Sequence, residues 1–427
     1  MSDTGSLLGS PTRGHLIALT VPALLIGLIS GGMLALVDVI AHGIQHVLWE
    51  TLPHAWGADP DSGWWIFGTL TVIGVLVGLV IWLVPGHAEP DSATVELAVP
   101  PQPLWAVPGI ALATVLTLAG GVSLGPEGPI IAINVSLCAW LMTRLWHAFP
   151  PQLAVILASS ATIGALFGTP VAAALVLTGT LAALPGKGSL WDRLFLPLVS
   201  AAAGAMISNL LGAGMGELGG FGEYTPRPID LLWGAIIATV SAAFGLIAVY
   251  GLPVLHRFAR RVLRHRFLVP AVGGVLLGIL GAIGGPITLF KGLDQSATLL
   301  AAHDEVTGWQ LVVILVVKMA ALLVAAAFSF RGGRVFPAVF LGVAAGMLGQ
   351  VLLPDTPLSL AVAAGVIGLT LAIARDGWIA LFVAVAMVGD VSMLPVLCVI
   401  ILPAWLVVTA SPDMIVEEHE PATGVRA

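Results

Sequence analysis

Long apolar runs alternate with short polar breaks along nearly the whole chain. Two of the clearest lie at 16–37 and 64–84, and each reaches the roughly 20 residues that a transmembrane helix needs. The other runs lie at 104–122, 153–183, 194–213, 229–255, 267–289, 310–328, 335–353, 358–373 and 378–409. Continuous apolar sequence of this length is typical of helices in lipid, where every backbone polar group must be satisfied internally. The pattern therefore predicts an all-α polytopic membrane protein.

The composition supports this prediction and excludes a soluble globular protein. Of the 427 residues, 58% are hydrophobic and only 9% are charged, whereas soluble chains carry roughly 25% charged residues. The first apolar run follows a short polar arm and is not closed by a cleavage pattern, so no cleavable signal peptide is predicted. Cys138 and Cys398 lie in apolar segments without metal-ligand spacing. We expect no cofactor, no bound metal and no nucleic-acid partner.

The loop HRFARRVLRHR at 256–266 carries five arginines between two apolar runs. Loops rich in lysine and arginine tend to stay in the cytoplasm. We therefore expect this loop and both termini on the cytoplasmic side of the cell inner (plasma) membrane.

A weak internal duplication divides the chain. The segment 163–181 parallels 371–389, and GGVSLGPEGPIIAINVSL at 120–137 parallels RGGRVFPAVFLGVAAG at 331–346. Paired Gly/Pro interruptions at corresponding places of two halves indicate the substrate site of a membrane transporter. The predicted organisation is a short N-terminal arm (1–13), a first transmembrane repeat (14–215), a linker (216–226), a second repeat (227–411) and a C-terminal tail (412–427).

Glu127 is the only acidic residue in the stretch 97–191. A carboxylate within a membrane is energetically costly and by default indicates function. Two other interpretations stay open: a permanently protonated side chain, or a cap for a helix that starts near Pro129. Gly125 and Gly128 weaken the second, because their backbone N–H groups can also hold a mobile anion.

Three Gly/Pro breaks, at 85–90, 125–129 and 332–337, are each followed by helix-compatible sequence. A helix that begins at such a break offers unpaired N–H groups and the positive end of its dipole. We expect three helix N-termini to converge on one anion, which they would bind weakly enough for rapid passage. The carboxylate of Glu127 would occupy the anion position when deprotonated and leave it when protonated.

Short motifs carry a resemblance to a known family. GPEGP at 125–129 resembles the G-x-E-G-P motif of the CLC chloride channels and chloride/proton antiporters, and GGRVFP at 332–337 is similar to their G-G-x-F-x-P motif. The segments 167–177 and 387–395 fit the two long interface helices of that family. The chain resembles in particular the YfeO-like bacterial branch, through SLGPE, TIGALFGTPVAAAL, LWDRLF, FKGLD, FRGGRVFPAVF and RDGW.

The resemblance covers nearly the whole chain. It implies a CLC-type inverted repeat of tilted and broken helices, in a homodimer with one pore per subunit in the lipid bilayer. It also implies transport of a small inorganic anion, chloride first, that is gated or coupled to protons by Glu127. The anion-binding residues that it implies are Gly86, His87, Gly125, Gly128, Gly333, Arg334, Val335, Phe336 and Met414.

Several positions depart from the family pattern. The first anion motif, G-S-G-x-P, appears as 86–90, so that His87 stands where a serine hydroxyl usually faces the anion. Either a protonated imidazole attracts the anion, or a neutral His87 donates one hydrogen bond at a helix N-terminus. In the second motif Val335 takes the place of phenylalanine, and Phe336 follows it.

Two further departures concern the cytoplasmic half of the pathway. Met414 lies near the position of a tyrosine that closes the inner anion site, and Thr180 lies at that of the inner proton-accepting glutamate. The loss of that acid weighs against exchange, but antiporters with this gate are common among prokaryotic members, so we favour an antiporter. A passive channel, or a transporter of fluoride or nitrate, stays open. An intramembrane enzyme built on Ser123 is a remote alternative, because no histidine on a nearby apolar segment offers itself as a base.

Basic residues near the second break have two interpretations each. Lys318 either contacts the anion or bonds to backbone carbonyls. Arg331 and Arg334 flank the glycine pair at 332–333, where they either set the electric field at the pore mouth or form structural salt bridges.

Overall fold

The computed structural model describes residues 13–95, 99–146, 149–183, 189–219, 221 and 224–416, and most of this part is helical. The helices of the first half are α1 (Arg13–His46), α2 (Leu52–Trp56), α3 (Gly63–Leu83), α4 (Val107–Ala119), α5 (Glu127–Leu145), α6 (Pro151–Phe167), α7 (Pro170–Ala183) and α8 (Leu190–Leu210). Those of the second half are α9 (Pro228–Val262), α10 (Leu268–Gly284), α11 (Leu293–Ala301), α12 (Gly308–Ala327), α13 (Val335–Leu352), α14 (Leu358–Ala374), α15 (Gly377–Val388) and α16 (Leu394–Val408).

Eight helical segments within the described residues are long and apolar enough to cross a membrane. They are Leu16–Trp56, Gly63–Leu83, Glu127–Leu145, Leu190–Leu210, Pro228–Val262, Gly308–Ala327, Val335–Leu352 and Val391–Val408. The predicted all-α membrane fold is confirmed. One of these segments, α5, has no counterpart among the runs predicted from hydrophobicity, because Glu127 and the glycines before it interrupt the apolar pattern.

Two runs predicted as continuous are each divided in two. Gly168, with φ of 69°, ends α6 in the left-handed conformation, and Pro170 starts α7 two residues later. Gly389, with φ of 76°, ends α15 in the same way before α16. Glycine adopts this conformation at little cost, so each break is local and built into the sequence.

The two halves pack their helices in the same pairs, as an inverted repeat requires. Helix α1 packs against α8 and α5 against α6, while α9 packs against α16 and α13 against α14. Helices α3 and α10 join the halves through a glycine contact, since a Cβ on Gly74 would lie 2.7 Å from the Cα of Gly274. The first break departs from the prediction: within the described residues no helix lies between α3 and α4, because several prolines and left-handed residues fill that stretch.

Candidate functional site

The two remaining breaks contact each other through their backbones. The N–H of Gly125 donates to the carbonyl of Gly333 at 2.9 Å, and the N–H of Gly333 donates back to the carbonyl of Gly125 at 2.7 Å. This antiparallel bridge joins one loop of each repeat. Helices α5 and α13 begin two residues after their respective bridge glycines, so both helix N-termini start from the same point.

Glycine is required at this junction by the close approach of the two loops. A Cβ on Gly333 would collide with the carboxylate of Glu127, and one on Gly332 would collide with the side chain of Leu124. The Gly/Pro breaks recognised in the sequence therefore permit backbone contact between the repeats, in addition to starting helices.

Glu127 is the first residue of α5 and is fully buried. Its Oε1 accepts a hydrogen bond from the backbone N–H of Phe336 at 2.8 Å, in the first turn of α13. No partner for Oε2 is present among the described residues. The carboxylate thus lies at the positive end of α13, where a helix N-terminus binds anions.

A narrow cavity adjoins this carboxylate. About 20 Å³ of it admits the centre of a water-sized sphere, which is roughly the space for one water molecule or one small anion. Its walls are formed by Pro90, Ser92, Val95, Ile110, Glu127, Gly128, Pro129, Arg331, Gly332, Gly333, Arg334, Val335, Ile373 and Ala374. The structure therefore brings most of the residues implied for the second and third breaks to one place.

Two of the implied residues, Gly125 and Phe336, lie outside the cavity wall. Both contribute backbone hydrogen bonds at its edge. Gly125 forms the bridge to Gly333. Phe336 presents its N–H to Glu127, while its ring stacks on Phe167 at the end of α6, with 6.3 Å between ring centroids.

His87 and Gly86, assigned to the anion site from the first motif, do not belong to the cavity wall. The Nδ1 atom of His87 lies 2.8 Å from the carbonyl oxygen of Ile81, near the end of α3. Gly86 packs against Ala106 and Trp105. Positive φ angles at Gly86, His87 and the next residue, Ala88, form the turn at this point.

Ser92, which the sequence analysis missed, lines the cavity that His87 does not reach. It lies in the cavity wall and is buried, and its hydroxyl accepts a hydrogen bond from the N–H of Gly332 at 2.8 Å. The available signal was a serine five positions beyond the histidine, in a stretch that does not match the family motif by simple counting.

Arg334 ties the cavity to the end of the chain. Its guanidinium donates to the carbonyl of Met414 and, at 3.1 Å, to that of Val95. The N–H of Val416 donates to the carbonyl of Ala93 at 2.8 Å. Met414 is fully buried beside the cavity but is outside its wall. The C-terminal segment thus covers the loop that carries Ser92.

Two other residues singled out in the sequence lie elsewhere. Thr180 belongs to α7, and its side chain lies outside the described part of the structure. Lys318 is fully buried in α12, where its ammonium group donates to the carbonyls of Thr288, Leu289 and Phe290 at 3.1, 2.9 and 2.7 Å. These contacts favour the carbonyl-bonding interpretation of Lys318.

Comparison with known proteins agrees with this geometry. The family model described as "voltage gated chloride channel" matches residues 70–409. A protein named putative ion-transport protein YfeO, from Salmonella paratyphi A, is 44% identical over 417 residues, which cover 96% of this chain and 99% of that protein. Its counterpart in Salmonella typhimurium matches to the same extent.

Solved structures share the fold at low sequence identity. A slow cyanobacterial Cl⁻/H⁺ antiporter matches with a TM-score of 0.77 and 19% identity, over 92% of this chain and 95% of that one. A CLC-type fluoride/proton antiporter matches with a TM-score of 0.70 and 18% identity, over 96% of this chain and 100% of that one.

Proposed function

The chain belongs to the voltage-gated chloride channel family, and we propose that it transports a small inorganic anion, chloride first, past Glu127. In this proposal Glu127 is the gate and the proton-coupling residue. The cavity at Ser92, the N-termini of α5 and α13, and Gly128, Gly333 and Val335 form the anion path.

The observation that carries this proposal is the hydrogen bond from the N–H of Phe336 to the carboxylate of Glu127. An anion and an ionised carboxylate compete for the same N–H group at the same helix N-terminus. Protonation removes the negative charge and most of the advantage of the carboxylate, so the side chain leaves and the anion enters. Anion passage and proton binding are therefore linked at the carboxylate of Glu127.

We favour proton-coupled exchange over a passive channel. Two structural neighbours are antiporters that carry protons against chloride or fluoride. Thr180 occupies the position of the inner proton-accepting glutamate of the family. A proton would therefore have to reach Glu127 by another route.

Fluoride is the second candidate anion, and the size of the cavity favours it. About 20 Å³ is open to water-sized spheres while Glu127 is in place, and fluoride is similar in size to water. Every anion requires the carboxylate to leave, and chloride, which is larger, then fills more of the space that the side chain vacates. Nitrate, which is larger still, is the least suited to the cavity as it stands.

Catalysis is disfavoured by the surroundings of Ser123. This residue lines a separate and smaller cavity with Leu70, Gly121 and Thr288 among apolar neighbours. No histidine is among the described residues of that wall.

We further propose the inner membrane, with the arginine-rich end of α9 in the cytoplasm. Arg260 of this end bonds Asp91 at 2.7 Å, so the loop with Ser92 and the C-terminal segment lie on the same side. The homodimer implied by the family stays a proposal, through the segments 167–177 and 387–395, where Val171 and Val391 are 52% and 71% exposed.

The test is a paired flux measurement on protein reconstituted in chloride-loaded liposomes. Chloride efflux and external pH are recorded together, and the experiment is repeated with fluoride and nitrate. Proton movement driven by a chloride gradient indicates exchange, and efflux without proton movement indicates a channel. If no halide moves, the transport proposal fails.

A further inference from the structure

A buried ion cluster lies behind the proposed anion path. The carboxylate of Asp91 is bonded by Arg260 at 2.7 Å, by the hydroxyl of Ser329 at 2.9 Å and by Arg331 at 3.3 Å. Asp91, Ser329 and Arg331 are each less than a tenth exposed. The cluster joins three parts of the chain: the loop after α3, the loop before α13 and the end of α9.

Arg331 also reaches the backbone of the opposite loop. Its Nε donates to the carbonyl of Ala88 at 2.5 Å and its Nη2 to that of His87 at 3.3 Å. A third bond runs from Nη1 to the carbonyl of Ser329 at 3.2 Å. The guanidinium is thus fully engaged in holding two loops together.

These loops are held in a strained backbone conformation. The φ angles of His87, Ala88 and Ser329 are 52°, 53° and 63°, in the left-handed region that residues with a side chain seldom occupy. Such residues persist where the surrounding contacts fix them, and they cluster at functional sites. Ser329 lies two residues from Arg331, and His87 and Ala88 lie within four residues of Asp91. Strained backbone is therefore present at both ends of the cluster.

The hydrogen bond between Ser92 and Gly332 lies immediately next to this cluster. Ser92 follows Asp91 in the chain, and Gly332 follows Arg331. Burial raises the pKa of Asp91, but the charges of Arg331 and Arg260 outweigh this effect and hold the pKa below its ordinary value. The ion cluster therefore keeps its charge, and so its geometry, at physiological pH.

We propose that Asp91 is a positioning residue of the anion path, which acts through Ser92 and Gly332 on the spacing between the two loops. This inference rests on the transport function proposed above. Asp91 itself is outside the cavity wall, so it acts on the anion through its neighbours, by fixing where the Ser92 hydroxyl and the N–H groups at the start of α13 lie and by pairing with Arg331 of the wall.

A matched control exists in the same chain. Asp230 is also buried, pairs with an arginine (Arg227 at 2.8 Å) and accepts from a hydroxyl (Tyr224 at 3.0 Å). It lies at the opposite end of α9 from Arg260. Asp91→Asn and Asp230→Asn thus make the same chemical change to the same kind of buried pair, near the anion path in one case and remote from it in the other.

The experiment compares the two variants by halide selectivity in the liposome assay and by amide hydrogen exchange of residues 332–336. We expect Asp91→Asn to change the chloride-to-nitrate selectivity at least about threefold and to speed exchange about tenfold. Asp230→Asn should change neither, although it too lowers thermal stability. Equal selectivity and equal exchange in the two variants would overturn the proposal.

A double variant tests the route of action. If Asp91 acts through the serine, adding Asp91→Asn to Ser92→Ala produces no further change in selectivity. Additive effects contradict that route.

A third pair of variants keeps the test valid if Asp91→Asn does not fold. Arg260 is partly exposed, so Arg260→Gln weakens the cluster without emptying it. Its control is Arg257→Gln, on the same helix end, where the arginine bonds only the carbonyl of Pro253 among the contacts described. The selectivity shift should follow Arg260 and not Arg257, and the reverse order refutes positioning. Amide exchange reports on the loops even if the wild type carries no anion, so failure of the transport proposal is recognised separately.

Discussion

Replacing Glu127 with glutamine is the most direct test of the gate. Glutamine keeps the size of the side chain and one carbonyl oxygen that can accept from the N–H of Phe336, but it can be neither ionised nor protonated. We expect Glu127→Gln to abolish the pH dependence of anion flux and its coupling to protons, and to preserve or raise the flux itself.

The magnitude follows from the hydrogen bond that would hold the proposed gate closed. The N–H of Phe336 lies 2.8 Å from Oε1. A hydrogen bond to a charged group contributes about 1.5–3 kcal/mol and a neutral one about 0.5–1.5 kcal/mol, so neutralisation weakens the closed state by about 1–1.5 kcal/mol. That difference corresponds to a factor of roughly 5 to 12 in the ratio of open to closed gates.

The assay is chloride efflux with simultaneous recording of external pH, at acidic and at neutral pH. At neutral pH the variant should carry chloride about 5 to 12 times faster than the wild type if gate opening limits the rate, and no proton movement should accompany it. Glu50→Gln makes the same change at an exposed glutamate and serves as the control. If a chloride gradient still drives proton movement through the Glu127→Gln protein, Glu127 is not the gate.

Three further predictions concern the surroundings of the gate. Ser92→Ala should alter the order of halide preference, whereas His87→Ser should leave it unchanged, because of these two residues only the serine lines the cavity. Flux measured with a series of halides distinguishes the two variants. The opposite outcome would return the histidine to the anion path. Lys318→Met should lower the free energy of unfolding in detergent by about 3 kcal/mol or more, because three buried carbonyls each lose a partner at about 1–3 kcal/mol. Anion selectivity should stay as in the wild type. A selectivity shift without a loss of stability would contradict this structural role. The lowered pKa of Asp91 means that its charge stabilises the fold above its ordinary pKa near 3.8 and that this contribution is lost as the pH falls through the lower folded-state value. Thermal unfolding of Asp91→Asn should therefore lose the acid-dependent part of the stability curve, and a curve parallel to that of the wild type would exclude this linkage.

The parts of the site that depend on local sequence could be predicted. The break before α5 was predicted within two residues of its true start at Glu127, and the break at 332–337 contains the start of α13. Glycine and proline limit helices through their own backbone geometry, so such signals need no knowledge of the fold. The isolation of Glu127 among apolar residues is likewise visible in the chain itself.

The first break could not be predicted in the same way. The bond between Ser92 and Gly332 spans 240 positions of the chain, and no local pattern encodes a contact of that range. Left-handed angles at His87 and Ala88 also carry no sequence signal, because such residues seldom adopt them. Counting from a family motif therefore predicted the histidine at the anion, whereas the loop brings Ser92 into the cavity wall and leaves His87 outside it.

The bridge between the repeats also places the titratable residue of the proposed gate in one repeat only. Counting outward from the paired residues Gly125 and Gly333 aligns Glu127 with Val335, so only the first repeat supplies a carboxylate. Where the first repeat has Pro126, the second has Arg334, which is tied to the C-terminal segment through the carbonyl of Met414. Protonation can therefore open the path on the side of Glu127 alone. A channel needs no more than this, but an exchanger must also close the path on the other side. If the paired flux measurement shows coupling, the second closure needs a part other than Val335, which cannot respond to a proton, and we expect the segment held by Arg334 to move.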